Sequence, residues 1–174
     1  MYYYVICFLT FSFLGWCAEV AFHFLKDGRV VNRGLAYGPV CPIYGIGVSL
    51  CALLLSGVES MPLALLLCAA IATAVELFVG LICDRIVGHR LWSYESEWGN
   101  ILGLVCPRFS LLWGFLLMLT LYTLPLFDRM VEAVDGPGVR ALTYALLGVL
   151  LIDVSISVFK IKRQKSHINP INYN

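Results

Sequence analysis

Apolar residues run through this chain in long blocks rather than in the short periods of a soluble fold. Five blocks approach the roughly 20 apolar residues that a membrane-crossing helix needs: 2–25, 36–57, 61–83, 101–125 and 139–159. They predict an all-α polytopic bundle of five transmembrane helices. Ser60 is placed to cap the third, with Pro62 tolerated in its first turn. Asp135-Gly136-Pro137 marks a break before the fifth. Pro39, Pro42, Gly45 and Gly47 crowd the first half of the second block and predict irregular backbone there. A membrane tolerates such backbone only where protein or a wet cavity surrounds it. The pattern reads as one transmembrane domain over 1–160, followed by a basic cytoplasmic tail over 161–174.

Composition strengthens this reading. Of 174 residues, 60% are hydrophobic and 13% charged, and the mean hydropathy is +0.86. Soluble domains carry about a quarter charged residues, and a globule of this size could not bury so much apolar surface. Lipid is therefore the solvent for most of the chain. A cytosolic enzyme, a nucleic-acid reader and a secreted disulfide scaffold are excluded together. The opening residues have no basic n-region or small-residue cleavage site and run on into Glu19, which reads as an uncleaved first membrane helix. None of the seven cysteines forms a CxxC pair or has a His at metal-ligand spacing, so no metal site and no cofactor is expected. A thiol in an apolar run behaves as a small hydrophobe.

Basic residues orient the spans. With the N-terminus outside, the inner segments hold Lys26, Arg29, Arg33, Arg85, Arg90, Lys160, Lys162, Arg163 and Lys165, whereas the outer ones hold only Arg129 and Arg140. Nine against two predicts a cytoplasmic C-terminus in the cell inner (plasma) membrane. The basic tail also suits contact with anionic membrane lipid.

Four charges remain inside the expected spans: Glu19, Glu76, Arg108 and Asp153. Counted from the cytoplasmic helix ends, each lies roughly 10–12 Å deep at 1.5 Å per residue. Intramembrane charges face the bundle interior and mark a site or pathway. His23 lies one turn from Glu19, and Thr73, Glu76, Gly80 and Asp84 share a stripe. Asn100, Gly103, Pro107, Ser110 and Gly114 form a second stripe suited to close packing. Arg108 is expected to pair with Glu19 or Glu76. An ion-pair network that only fixes helix packing explains the charges nearly as well. Asp153, with Lys160 and Ser157 nearby, reads as a satisfied polar residue near the interface.

The two inner loops open onto the same side. The first carries Asn32, Arg33 and Gly34, then Tyr37-Gly38-Pro39 and Pro42-Ile43-Tyr44-Gly45; Arg33 supplies an anion-competent fork. The second, His89 to Asn100, is dense in Trp and Tyr, which are ordinary belt residues at the headgroup level. A cavity lined by Asn32, Arg33, His23 and the carboxylates, open to the cytoplasm, is the composite expectation. The candidate substrate- or ion-binding residues are Glu19, His23, Asn32, Arg33, Tyr44, Glu76, Asn100 and Arg108.

Leu14-Gly15-Trp16, Glu19, Asn32-Arg33-Gly34, Tyr37-Gly38-Pro39, Pro42-Ile43-Tyr44-Gly45 and Glu76 together resemble the bacterial family labelled putative type IV ABC-transporter membrane proteins. Trp92, Tyr94, Asn100, Gly103, Cys106, Phe109-Ser110 and Trp113-Gly114 continue the resemblance, which covers 10–115. The family pattern has a basic residue after the fourth-span glycine; here that place is Leu104, with Arg108 one turn later.

The resemblance implies transport. No G-x-x-x-x-G-K-[ST] phosphate loop is present, so a transport role needs a separate ATPase subunit, a homo-oligomer or an ion gradient. Two other classes stand beside it. An intramembrane enzyme acting on a lipid or polyprenyl-phosphate headgroup would use the same one-sided site, but no nucleophile or metal motif supports it. A non-catalytic scaffold or regulatory subunit would use the charges only for packing.

Overall fold

A computed structural model describes residues 2–28 and 35–168, without the side chains of Lys26, Asp27 and 165–168. The described residues are all-α, with five helices: α1 (Tyr2–Asp27), α2 (Pro42–Leu54), α3 (Met61–Leu81), α4 (Pro107–Val134) and α5 (Pro137–Ile168). Four segments are long and apolar enough to cross a membrane: Tyr2–Leu25, Met61–Val87, Pro107–Val134 and Pro137–Gln164. The protein is thus a multi-pass membrane protein by its helices. Leu66, Phe78, Ile152 and Phe159 are more than half exposed on its outside, as side chains facing lipid would be.

The second expected span is the exception. α2 has 13 residues, about 20 Å at 1.5 Å per residue, too short for a hydrocarbon core of about 30 Å. Pro39 and Pro42 set its late start. The residue before a proline is pushed out of the helical region, and Cys41 is extended at φ −119°. Pro42 then opens the helix, where its missing N–H is harmless. The irregular backbone expected in the first half of this block is therefore present, over 35–41. It lies against α1, where the Cys41 N–H donates to the Ser12 carbonyl at 2.9 Å.

α2 runs antiparallel to α1 at unusually close range. A Cβ on Gly45 would fall 2.2 Å from the Phe8 carbonyl oxygen, so no larger residue fits. α3 and α4 meet as closely, since a Cβ on Gly114 would lie 2.5 Å from the Ala69 Cα. Small residues at such crossings let backbones approach and gain dispersion contact, the main drive for helix association in lipid. Free thiols fill the two cores at the end holding the 55–60 link. Cys51, Leu55, Ala64, Cys68 and Met118 form one; Cys7, Val48, Ala52 and Leu124 form the other.

Three sequence expectations need correction. Ser60 precedes α3, but its hydroxyl makes no capping bond; its carbonyl accepts the Ala64 N–H instead. The third helix does not stop at 83, because a π-helical turn, Ile82–Val87, extends it to Gly88, which ends it at φ +73°. The fourth begins at Pro107 rather than 101. Residues 101–105 instead form a tight turn closed by the Ile101 N–H on the Val105 carbonyl, with Leu102 and Gly103 at positive φ. Asn100 and Gly103 therefore do not share a helical stripe with Ser110 and Gly114. The break at 135–136 is where expected, and the Asp135 carboxylate accepts the Arg140 Nε–H at 2.8 Å there. α5 packs chiefly on α1 and also touches the π-helical turn.

Candidate functional site

Gly15 lets the Tyr44 ring lie directly on α1, where a Cβ would sit 2.3 Å from the ring. That placement brings the Tyr44 hydroxyl to Glu19, and it donates to Oε1 at 2.6 Å. His23, one turn along α1 and 7% exposed, sets its Nε2 3.6 Å from Glu19 Oε2. One carboxylate is thus held from two sides.

Glu76, on α3, is the other, and it is 7% exposed. Its Oε1 accepts the Tyr94 hydroxyl at 3.0 Å. Trp113, from α4, donates Nε1–H to the same Tyr94 oxygen at 3.4 Å. Burial raises the Tyr94 phenol above its ordinary range, which keeps it a donor. The Tyr94 ring stacks on Phe109 at 4.5 Å between centroids, and Trp113 meets the Tyr44 ring edge-on at 5.7 Å. A continuous path of contacts therefore joins the two carboxylates: Glu19, Tyr44, Trp113, Tyr94, Glu76.

The loop that delivers Tyr94 is held by its own polar groups. Arg90 donates to Asp84 at 2.9 Å, to Glu95 at 2.7 Å and to the Leu102 carbonyl at 3.3 Å. The Asn100 amide donates to the Glu95 and Glu97 carbonyls, and its oxygen accepts the Gly103 N–H. Trp92 Nε1–H reaches the Leu104 carbonyl at 2.9 Å. Leu104 is 1% exposed and packs on the face of α3 at Gly80. Apolar burial of 104–106 and the Asn100 bonds together fold this segment over the helix ends.

All five helices and this loop line a partly open cavity of about 850 Å³. Its wall is mainly apolar, with Glu19, His23, Tyr44, Glu76, Tyr94 and Trp113 among its polar groups. Among the described residues no group of three or more His, Cys, Asp or Glu side chains could hold a metal ion.

Four expected site residues, Glu19, His23, Tyr44 and Glu76, come together here. Asn100 and Arg108 do not; they belong to the loop and to the start of α4. Arg108 is 75% exposed and pairs with Glu97 at 3.3 Å, in place of the expected Glu19 or Glu76. The cause is the late start of α4, which puts Arg108 in its first turn instead of deep in a span. Asn32 and Arg33 lie outside the described residues. Asp153, expected as a satisfied polar residue with Lys160 and Ser157 nearby, accepts the Tyr37 and Gly38 N–H groups at 3.1 and 2.8 Å. Tyr94 and Trp113 were missed as site residues. Tyr94, a loop aromatic, matches the ordinary interfacial belt, Trp113 lies within an apolar run, and only the family resemblance singles these two out.

Comparison with known proteins finds no match among curated proteins and none among solved structures. A family model does match, over residues 6–158, which extends past 10–115 and takes in most of α5. The chain belongs to the family described as "Putative ABC-transporter type IV".

Proposed function

We propose that the chain is a permease-like membrane subunit that holds its cargo, or a coupling ion, in the cavity between Glu19 and Glu76. The observation that carries this reading is the contact path between those carboxylates on the wall of an 850 Å³ cavity. Ligand cavities of about 300–1,000 Å³ with a few convergent polar groups are the usual form of a binding site. Family membership supports transport. The nine-to-two distribution of basic residues supports a cytoplasmic side for Tyr94, Asn100 and the C-terminus, in the plasma membrane. Energy would come from a separate ATPase or an ion gradient, since the chain carries no phosphate loop.

The test is affinity purification of the full chain in mild detergent, joined to a growth or flux phenotype. A copurifying ATPase, with loss of phenotype in Glu76→Gln at normal membrane abundance, is the expected result. A tightly held polyprenyl phosphate that the protein converts would favour an enzyme instead. Wild-type behaviour of Glu19→Gln and Glu76→Gln, with no ATPase, would leave a scaffold.

A further inference from the structure

The cavity has a chemical bias that narrows what it could hold. Glu19 and Glu76 stand in its wall, yet among the described residues no lysine or arginine lines it. Glu76 is more than nine-tenths buried, and its Oε2 has no hydrogen-bond partner among the described residues. A buried carboxylate oxygen left without a donor is costly, and a positive charge or N–H donor entering the cavity would remove that cost. Four tyrosine and tryptophan side chains, Tyr44, Trp92, Tyr94 and Trp113, share the wall with three phenylalanines. Their ring faces attract organic cations, more strongly when water is excluded. His23 is engaged by Glu19 at 3.6 Å and the Thr120 hydroxyl by the Leu116 carbonyl, and the rest of the surface is mainly aliphatic or phenyl, with little to offer a phosphate or carboxylate.

Resting on the cavity reading above, we infer that the ligand is a hydrophobic organic cation: an amine or onium group on an apolar body. The cation would sit between Glu76 and Glu19 against the aromatic rings, and its apolar body would fill the space beside α5. A free amphiphilic amine and the amine of a lipid headgroup share this chemistry.

Two probes of nearly equal shape and opposite charge test the sign directly. Equilibrium dialysis of the full-length protein in mild detergent, corrected with empty micelles, would measure tetraphenylphosphonium and tetraphenylborate. Tetraphenylphosphonium should bind at least about tenfold more tightly, as expected of a complementary buried charge. Glu76→Gln should remove most of that preference. Glu19→Gln should lower it separately, so the result does not depend on one variant folding. Native mass spectrometry of the protein as purified would identify a lipid amine or a free amine as resident cation, and either supports the assignment.

Equal binding of the two probes would overturn it, because apolar partition alone would then explain both. Preference for tetraphenylborate would also overturn it, while leaving the cavity a binding site. If neither probe binds but Glu76→Gln still abolishes the phenotype, the cation assignment fails and the cargo site stands. If neither binds and that variant behaves as wild type, both readings fail.

Discussion

The Asp153 carboxylate on α5 accepts the Gly38 N–H at 2.8 Å and the neighbouring Tyr37 N–H at 3.1 Å. These two bonds join the last helix to the irregular strand of chain that leads into α2. Irregular backbone at a membrane-facing depth must find partners within the protein. A carboxylate does this well, since charge-assisted bonds are stronger than neutral ones.

Asp153→Ala should leave both N–H groups without their acceptor and destabilise the protein by about 1–3 kcal/mol. Asp153→Asn keeps one acceptor oxygen and should fall between the variant and the wild type. Thermal unfolding in detergent would give this order. Unchanged stability of Asp153→Ala would show that the contact contributes nothing.

At the α3–α4 crossing, Gly114→Ala should cost about 1–3 kcal/mol by overpacking. The added Cβ meets the Ala69 Cα and N as well as its Cβ, at 2.5 to 2.7 Å. Ala69→Gly should therefore rescue it only in part. Full rescue in unfolding measurements would mean that the backbones separate easily.

Arg108→Ala should be nearly silent, within about 1 kcal/mol, because exposed ion pairs contribute little. Its partner Glu97 remains in a loop already held by Arg90 and Asn100. A loss of several kcal/mol would place Arg108 in a buried pair and contradict its exposure.

Tyr94→Phe should leave the Glu76 Oε1 without its 3.0 Å donor and cost about 1–3 kcal/mol. It should also remove the hydroxyl that Trp113 reaches. A change in tryptophan emission together with the lost stability would report both. If neither changes, the path between the carboxylates is broken at this point in solution.

Sidedness is testable by cysteine labelling on a Cys-free background. An impermeant reagent added outside should label Glu132→Cys and miss Lys165→Cys, as the distribution of basic residues predicts. The opposite pattern would put the loop-bearing end of the cavity outside.

Hydropathy along the chain was enough to determine the class, the four long helices and where α1 and α3 begin, because lipid selects on apolar length; it missed both ends of α4 and the far end of α5. Pro39 and Pro42 announced broken backbone for the same local reason: each proline restricts its own neighbour. Sequence also brought Glu19 and His23 together, since both lie on one helix face.

The rest was decided between elements. Ile101 to Cys106 is apolar enough to read as helix, but Asn100 and the positive φ at Leu102 and Gly103 fold it into a turn. That turn moved Arg108 from a buried layer to an exposed pair. Glu76 and Tyr94 are 18 residues apart, and Asp153 and Gly38 are 115 apart. No periodicity connects such positions. Which donor satisfies a buried carboxylate depends on how helices pack, and packing in lipid depends on where glycines allow backbones to touch.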